Sequence, residues 1–424
     1  MTIVVRQLAT PEEMDQQFIW ADQAFAPTPD PVNARAWGQT VLTQPDFRPQ
    51  QLRGAFREEA QLGGYGLNEW LLRIGEARIS TGCIGMVVTN SSQRKQGVAT
   101  ALMRDAIQFA REQGHSLLLL DGIPNFYYRY GYTDVFDSST EEINRAAILA
   151  HPASSHNVHQ ATPEDAQSIR DLYERRLSGF TGSFERSREK QEHLLRHRFG
   201  KNTILLATSP EGKVEGYVLA SRAPSPAVAL ELCADNWPAQ IALMQAHAHL
   251  SDGPEAPAIH TYYLPPTSEE LYRAIAHLEV PDTSHWHGPA EEWGIRTVQA
   301  HHRYAGWMGR IVHLPTFLDA LLPELQVRWR RSLAHWSGEL HFLVGEESYT
   351  LGISGSELQS TTKSTDNAST FQCSLQDFTQ LVLGYRPLSW VLTQQPQELS
   401  PTEQTVLQQL FPPSQPWISF SDWF

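Results

Sequence analysis

The sequence holds few cysteines, fewer bases than acids, and no long apolar run. Its three cysteines, Cys83, Cys233 and Cys373, stand far apart without CxxC spacing. That excludes a disulfide framework or a zinc knuckle and fits a reducing, cytoplasmic setting. No stretch reaches the roughly 18 apolar residues of a membrane span, so none is expected. The opening MTIVVRQLATPEEMDQQF has no basic segment leading into an apolar one, so no secretory leader is expected. Lys and Arg number 33 against 47 Asp and Glu, a formal net charge of -14. Such a balance argues against nucleic acid, where phosphate neutralisation drives affinity. It favours cationic small molecules, which acidic clefts concentrate.

What is present is a chain of 424 residues, 41% of them hydrophobic, enough for about three domains with cores of their own. Two segments share one helix-start recipe. In QLATPEEMDQQF, Thr10 reads as an N-cap, Pro11 as the first helical residue and Glu13 as the third. Thr162, Pro163 and Asp165 repeat this in HQATPEDAQSIRDLY. The pair suggests a duplicated domain. The division drawn from this is 1–150, 151–299 and 300–424, with HPASSHNVH as the first linker.

In the first unit CIGMVV (83–88) reads as a buried strand, residues 97–113 as a helix stopped by Gly114, and SLLLLD (116–121) as a second strand. This is a βαβ-type order. The second unit offers a hairpin over 203–221, then a strand and a helix separated by ADNWP. The third offers a strand and helix near 306–323, a hairpin turning near Gly345, a helix at CSLQDFTQLVLGY, and an aromatic end, PWISFSDWF.

Against the acidic background, SSQRKQGVATALM (91–103) places Arg94, Lys95 and Gly97 at a helix start. Unpaired N–H groups and a partial positive charge there suit a phosphate. A solvated loop before an ordinary helix is the plainer alternative. Further along, Phe126 to Tyr132 reads FYYRYGY. Gln93-Arg94-Lys95-Gln96-Gly97-Val98-Ala99 fits Q/R-x-x-G-x-G/A, and FYYRYGY fits F-Y-x-x-x-G-F/Y. In the order strand, glycine loop, helix, strand, the two together resemble the GNAT superfamily of acyl-CoA-dependent N-acyltransferases. Over its whole length the chain resembles the enhanced intracellular survival (Eis-like) family.

That resemblance implies two tandem GNAT folds, with mixed sheets flanked by helices, and an α+β third domain like sterol carrier protein (SCP2-like). It implies a homohexamer with acetyl-CoA as co-substrate, acetylating a primary amine of a cationic small molecule or of a lysine side chain. Val87, Val88 and Thr89 would meet the pantetheine arm. Arg94, Lys95, Gln96, Gly97, Val98, Ala99 and Thr100 would hold the pyrophosphate. Tyr127 would act as acid toward the thiolate, and the carboxylate of Phe424 as base. Asp22, Trp37 and Asp422 would line the acceptor pocket. The family's loop carries a proline and more arginines, so binding here would lean more on backbone N–H groups. ADNWP lacks glycine and cations, which implies a second unit without the cofactor loop.

Other motifs carry less. Gly63-Gly64-Tyr65-Gly66 reads as a turn. His285, His287, His301 and His302 lack partners at metal-ligand spacing, so no metal is expected. No G-x-S-x-G elbow occurs. A binding protein that carries lipid or CoA without catalysis is the alternative function.

Overall fold

The computed structural model describes residues 2–198, 201–222, 225–266, 295–361 and 368–422. They fall into two compact units. Unit one takes the chain up to Phe136 and again from His302 to Pro416; unit two takes Asp137 to His301 and the described residues Trp417 to Asp422.

Unit one is built on a seven-stranded mixed sheet. Strands β1 (Val4–Gln7), β2 (Leu52–Arg57), β3 (Ala60–Ile74) and β4 (Ala77–Thr89) run antiparallel in sequence order. Parallel to β4 lies β5 (Leu117–Gly122), followed by the strand Gly306–Ile311 and β6 (Thr133–Asp134). Helices α1 (Pro11–Phe25) and α2 (Pro31–Leu42) pack together, and α3 (Val98–Glu112) links β4 to β5. The α3 stripe of Val98, Leu102, Ala106, Phe109 and Ala110 is buried against Leu118, Leu120 and Tyr127. Gly114, at φ 80°, ends that turn, and the His115 N–H closes on the Ala110 carbonyl at 2.9 Å. Thr10 caps α1 from its side chain.

The rest of unit one is an α+β module. The helix Leu314–Arg331 precedes a four-stranded sheet of Gly338–Val344, Glu347–Ser354, Glu357–Thr361 and Ser369–Cys373, with the hairpin turning at Gly345. Phe342, Phe371, Phe378 and Phe411 fill its core in mutual ring contact.

Unit two repeats the plan. Its sheet runs β13 (Ile295–Ala300), β7 (Ser138–Asn144), β12 (Ile259–Tyr263), β11 (Val228–Ala234), β10 (Val214–Ser221), β9 (Asn202–Thr208), β8 (Asn157–Gln160). Helices α5 (Ala166–Leu177) and α6 (Arg188–Arg198) pack together, and α7 (Trp237–His249) links β11 to β12, a pair that is parallel. The short helix α4 (Arg145–Ala150) packs on α7. A capping box on Thr162 and Asp165 opens the turn leading into α5, as the sequence suggested.

The limits drawn at 150 and 299 differ from this arrangement at both joints. Strand β7 pairs with β12 and β13, so the second sheet begins at Ser138. Gly306–Ile311 is a strand of the first sheet, with Met308 opposite Leu120. Which sheet a strand joins is set by long-range backbone pairing, and no local pattern carries it. The glycine run is a second correction. Residues 63–66 lie inside the 15-residue strand β3, not in a turn.

Candidate active site

Two neighbouring parallel strands diverge in unit one. β4 pairs with β5 only over Thr81–Ile84 against Leu117–Leu120. Beyond Ile84, β4 continues to Thr89 on β3 alone, while Asp121 and Gly122 pair with Trp307 and Gly306. The gap leaves one backbone edge of Val87, Val88 and Thr89 without a strand partner among the described residues. Hydrogen-bonding groups on such an edge need a partner, and an extended amide-bearing chain supplies one.

The divergence is built on a bulge. Gly64 faces Val88 and Gly66 faces Gly85, so Tyr65 alone stands opposite Met86 and Val87. Met86 has φ 56°, a costly conformation for a non-glycine residue. Its carbonyl leaves the sheet toward α1 and accepts from Gln17 Nε2 at 2.8 Å; Gln17 is wholly buried. A Cβ on Gly64 would lie 2.4 Å from Gln17 Oε1, so the glycine admits the amide. The glycine run thus serves close approach of a side chain, a role with no signal in the sequence by itself. The bulge recurs in unit two, where Leu230 of β11 is extra between Leu219 and Ala220 of β10.

Beyond Thr89 the chain forms the basic loop. Asn90 Oδ1 caps the Ser92 N–H at 3.0 Å, Lys95 stands at φ 62° and Gly97 at φ 85°. Arg94, Lys95, Gln96 and Gly97 are exposed; Val98 is buried, Ala99 and Thr100 half-buried. No side chain caps α3 and no acid stands in its first turn, so its N–H groups and its positive end stay open. A Cβ on Gly97 would meet nothing within 4 Å. The glycine therefore serves its positive φ and an approach from outside. Thr100 Oγ1 lies 2.9 Å from Tyr130 Oη, tying the helix to the aromatic turn. In unit two the equivalent start is closed. Asn236 accepts the Ala239 N–H at 2.9 Å, and the first turn contains a proline.

Tyr127 opens the turn Tyr127–Tyr130 and sits in the α3-side core, edge-on to Phe126 at 4.8 Å and Tyr132 at 6.1 Å. Burial, with Asp121 and Tyr130 adding to it, raises its hydroxyl to about 12. A thiol titrates near 8.5. Full proton transfer from this resting hydroxyl to a thiolate is uphill by roughly 5 kcal/mol, so the group is suited to donating a hydrogen bond.

The residues assigned to the acceptor each have partners within their own unit. Asp22 Oδ2 accepts the Asp30 N–H at 2.7 Å and closes the turn between α1 and α2. Trp37 packs edge-on against Phe18 at 5.8 Å. Asp422 lies in unit two, wholly buried, with its two oxygens taken by Arg186 and Tyr173. Phe424 lies outside the described residues, as do His285 and His287, while His301 Nδ1 pairs with Asp137 at 2.7 Å. An acid the sequence reading passed over is Asp121, at the divergence of β4 and β5. It is open to solvent, yet surrounding protein pushes its carboxyl above the usual range against the pull of His302. The signal available was its place, a lone acid at the end of a buried strand.

Comparison with known proteins agrees with this geometry. Residues 5–135 match the family model of the acetyltransferase (GNAT) domain. No curated protein sequence matches the chain. Among solved structures, the whole chain superposes on a GCN5-related N-acetyltransferase from Anabaena variabilis with a TM-score of 0.73 at 16% identity, covering 100% of both chains. One from Kribbella flavida gives 0.71 at 16% identity, covering 100% of this chain and 99% of that one. Eis1 from Mycobacterium abscessus gives 0.64 at 16% identity over 100% of both. At these identities the likeness shows the fold, and with the match to residues 5–135 the chain carries an acetyltransferase domain of the GNAT superfamily.

Proposed function

We propose that the chain is an acetyl-CoA-dependent N-acetyltransferase whose acceptor is a primary amine on a cationic small molecule or a lysine side chain. One observation carries this reading. In unit one the diverging strands β4 and β5 and the uncapped start of α3 stand at the two ends of one loop, with Tyr127 beside them. A thioester on a pantetheine arm would run along the open edge of Val87, Val88 and Thr89. Its pyrophosphate would meet the N–H groups of Gly97 to Thr100, with Arg94 and Lys95 adding charge-assisted contacts. Gln96 already bonds Arg57 at 2.9 Å and helps hold the loop.

The amine nitrogen attacks the acetyl carbon and the C–S bond breaks. The amine's proton passes to a carboxylate and the thiolate is stabilised by Tyr127. The carboxylate proposed as base is that of Phe424. A terminal carboxyl titrates near 3.3–3.7, so it serves as base through burial or a relaying water. Unit two, with its helix start self-capped, serves as scaffold, and the phenylalanine-filled module is the sterol-carrier-like third domain.

Calorimetry with acetyl-CoA and a thiol-release screen over aminoglycosides, polyamines and lysine peptides test the reading. Binding with turnover on cationic amines supports it. Binding of CoA or a lipid without turnover on any acceptor would replace it with a carrier function. A variant with one glycine added after Phe424 tests the base: unchanged turnover removes the terminal carboxylate from the reaction.

A further inference from the structure

The bulge in β4 does more than separate it from β5. The peptide between Met86 and Val87 is planar and trans, so its carbonyl and its N–H point in opposite directions. The carbonyl points to Gln17, over the α1 face of the sheet, because Gln17 Oε1 lies where a Cβ of Gly64 would be. The Val87 N–H is therefore turned away from α1, toward the face where Val87 itself packs beside the Tyr127 cluster. That face borders the gap left where β4 and β5 diverge.

We propose that Gln17 is a positioning residue for acyl transfer: by holding the Met86 carbonyl on the α1 face, it aims the Val87 N–H at the thioester oxygen. Three features support the assignment. Gln17 is a wholly buried amide reaching across 69 residues of sequence to this one carbonyl. The conformation it holds, φ 56° at Met86, is one a non-glycine residue adopts only under constraint. The strand opposite supplies glycine where the amide must enter. A longer or branched side chain at position 64 would displace Gln17, so the two positions form one device.

The inference rests on the acetyl-CoA reading above and deepens it. As the amine nitrogen bonds to the acetyl carbon, the carbonyl electron pair moves onto oxygen, which accepts from the Val87 N–H. The C–S bond then breaks, the amine's proton goes to a carboxylate, and the thiolate leaves beside Tyr127. A donor preset in a site that excludes water acts on this charge without reorganising.

The test uses the full chain, acetyl-CoA labelled with carbon-13 at the thioester carbonyl, and isotope-edited infrared spectroscopy. In the parent the carbonyl band of the bound thioester lies below its frequency in solution. In Gln17→Leu and Gln17→Met, which cannot donate to Met86, the band returns to the solution position. Both variants keep acetyl-CoA affinity within about threefold, because the loop and the strand edge are untouched. With spermidine as acceptor, kcat falls by about 10²-fold, the scale of losing one preset donor, while the KM for acetyl-CoA is kept. A merely structural amide would lower the melting temperature and leave the band shifted. The inference is overturned by a parental band in either folded variant. It is likewise overturned if the parent binds acetyl-CoA and shows no shift. If the parent does not bind acetyl-CoA at all, the cofactor reading fails first and takes this one with it. Should Gln17→Leu fail to fold, Gln17→Met, close to glutamine in length and volume, carries the same comparison.

Discussion

Arg186 donates from Nε to Asp422 Oδ1 at 2.8 Å, deep in unit two. Its Nη2 meets Glu231 Oε2 at 2.8 Å and Ser421 Oγ at 2.7 Å, and its guanidinium lies over the Tyr173 ring at 3.5 Å. Burial pushes the Glu231 carboxyl up, but Arg186 outweighs it and holds the group below the usual range. For Asp422 burial wins, and its carboxyl is raised. One cation thus serves two buried acids. Trp417 and Phe420 add to the anchor, the first donating its N–H to the Thr181 carbonyl at 2.8 Å, the second stacking at 4.6 Å on Tyr263.

Removing the cation should cost most. Arg186→Met leaves two carboxyls unpaired, a loss of about 3–5 kcal/mol. Glu231→Gln should cost more than Asp422→Asn, because Glu231 accepts from Tyr217, Ser419 and Ser421 as well as Arg186, whereas Asp422 accepts from Arg186 and Tyr173. Denaturant unfolding followed by tryptophan fluorescence ranks the three. An Asp422→Asn loss equal to that of Arg186→Met would show that Asp422, not Glu231, carries the pair.

Acid should weaken the fold before the carboxylates titrate. Burial lowers His115 and His247 to about 4 and His260 to about 3. Unfolded histidine titrates near 6.5. Below that the unfolded chain binds protons the folded chain refuses, so stability falls as pH drops. Glu141, raised to about 7 by burial, works the other way between pH 7 and its unfolded value near 4.5. Three histidines outweigh one glutamate, and the melting temperature should fall from pH 7 to pH 5. His260→Gln should flatten that slope. A melting temperature that rises on acidification would contradict it.

The helix starts at Thr10 and Thr162, the α3 helix, the β5 run and the hairpins at 203–221 and near Gly345 were legible because caps, periodicity and turn residues are local. Strand exchange between the sheets was not, since the pairing of Met308 with Leu120 joins distant segments. The basic loop was legible as a motif, and the open helix start behind it agrees with the proposed cofactor role. The partners of Asp422 were not legible, because an acid near an aromatic end reads alike whether it faces a ligand or a buried arginine. Gln17 left no trace, because a polar residue in an amphipathic helix reads as surface until its partner is seen.

The cofactor loop should separate the two units. Gly97→Val forces a branched side chain into φ 85° and into the path of the approaching anion. Arg94→Ala removes an exposed cation only. Calorimetry with acetyl-CoA should show a large loss for the first and a loss of a few-fold for the second. Asn236→Ala uncaps α7 at a cost of about 1 kcal/mol in stability and leaves affinity unchanged. Equal affinity in parent and Gly97→Val would place the cofactor elsewhere.

Tyr127→Phe deletes one oxygen from a packed aromatic core. It should keep acetyl-CoA affinity and lower turnover by about 10²–10⁴-fold, the range for a group acting on a proton. Parental turnover would remove Tyr127 from the reaction.

Asp121 should set the charge of the acceptor. It stands where β4 and β5 diverge, and its neighbours on β5 divide between the two faces of the sheet. Leu118 and Leu120 belong to the Tyr127 core, whereas Asp121 falls on the alternate side with Leu119. Leaving group and acceptor would then be served from opposite faces. A carboxylate partly stripped of water gains more from a cation than from a neutral amine, and a hydrogen bond to a charged group contributes about 1.5–3 kcal/mol. Asp121→Asn keeps the shape and removes the charge. For cationic polyamines its KM should rise about ten- to a hundredfold, while the KM for a neutral amine of similar size and the affinity for acetyl-CoA hold. A loss of turnover equal for charged and neutral acceptors would mean that Asp121 acts on the proton, not on the acceptor's charge. No change for either would leave the cationic preference to other residues.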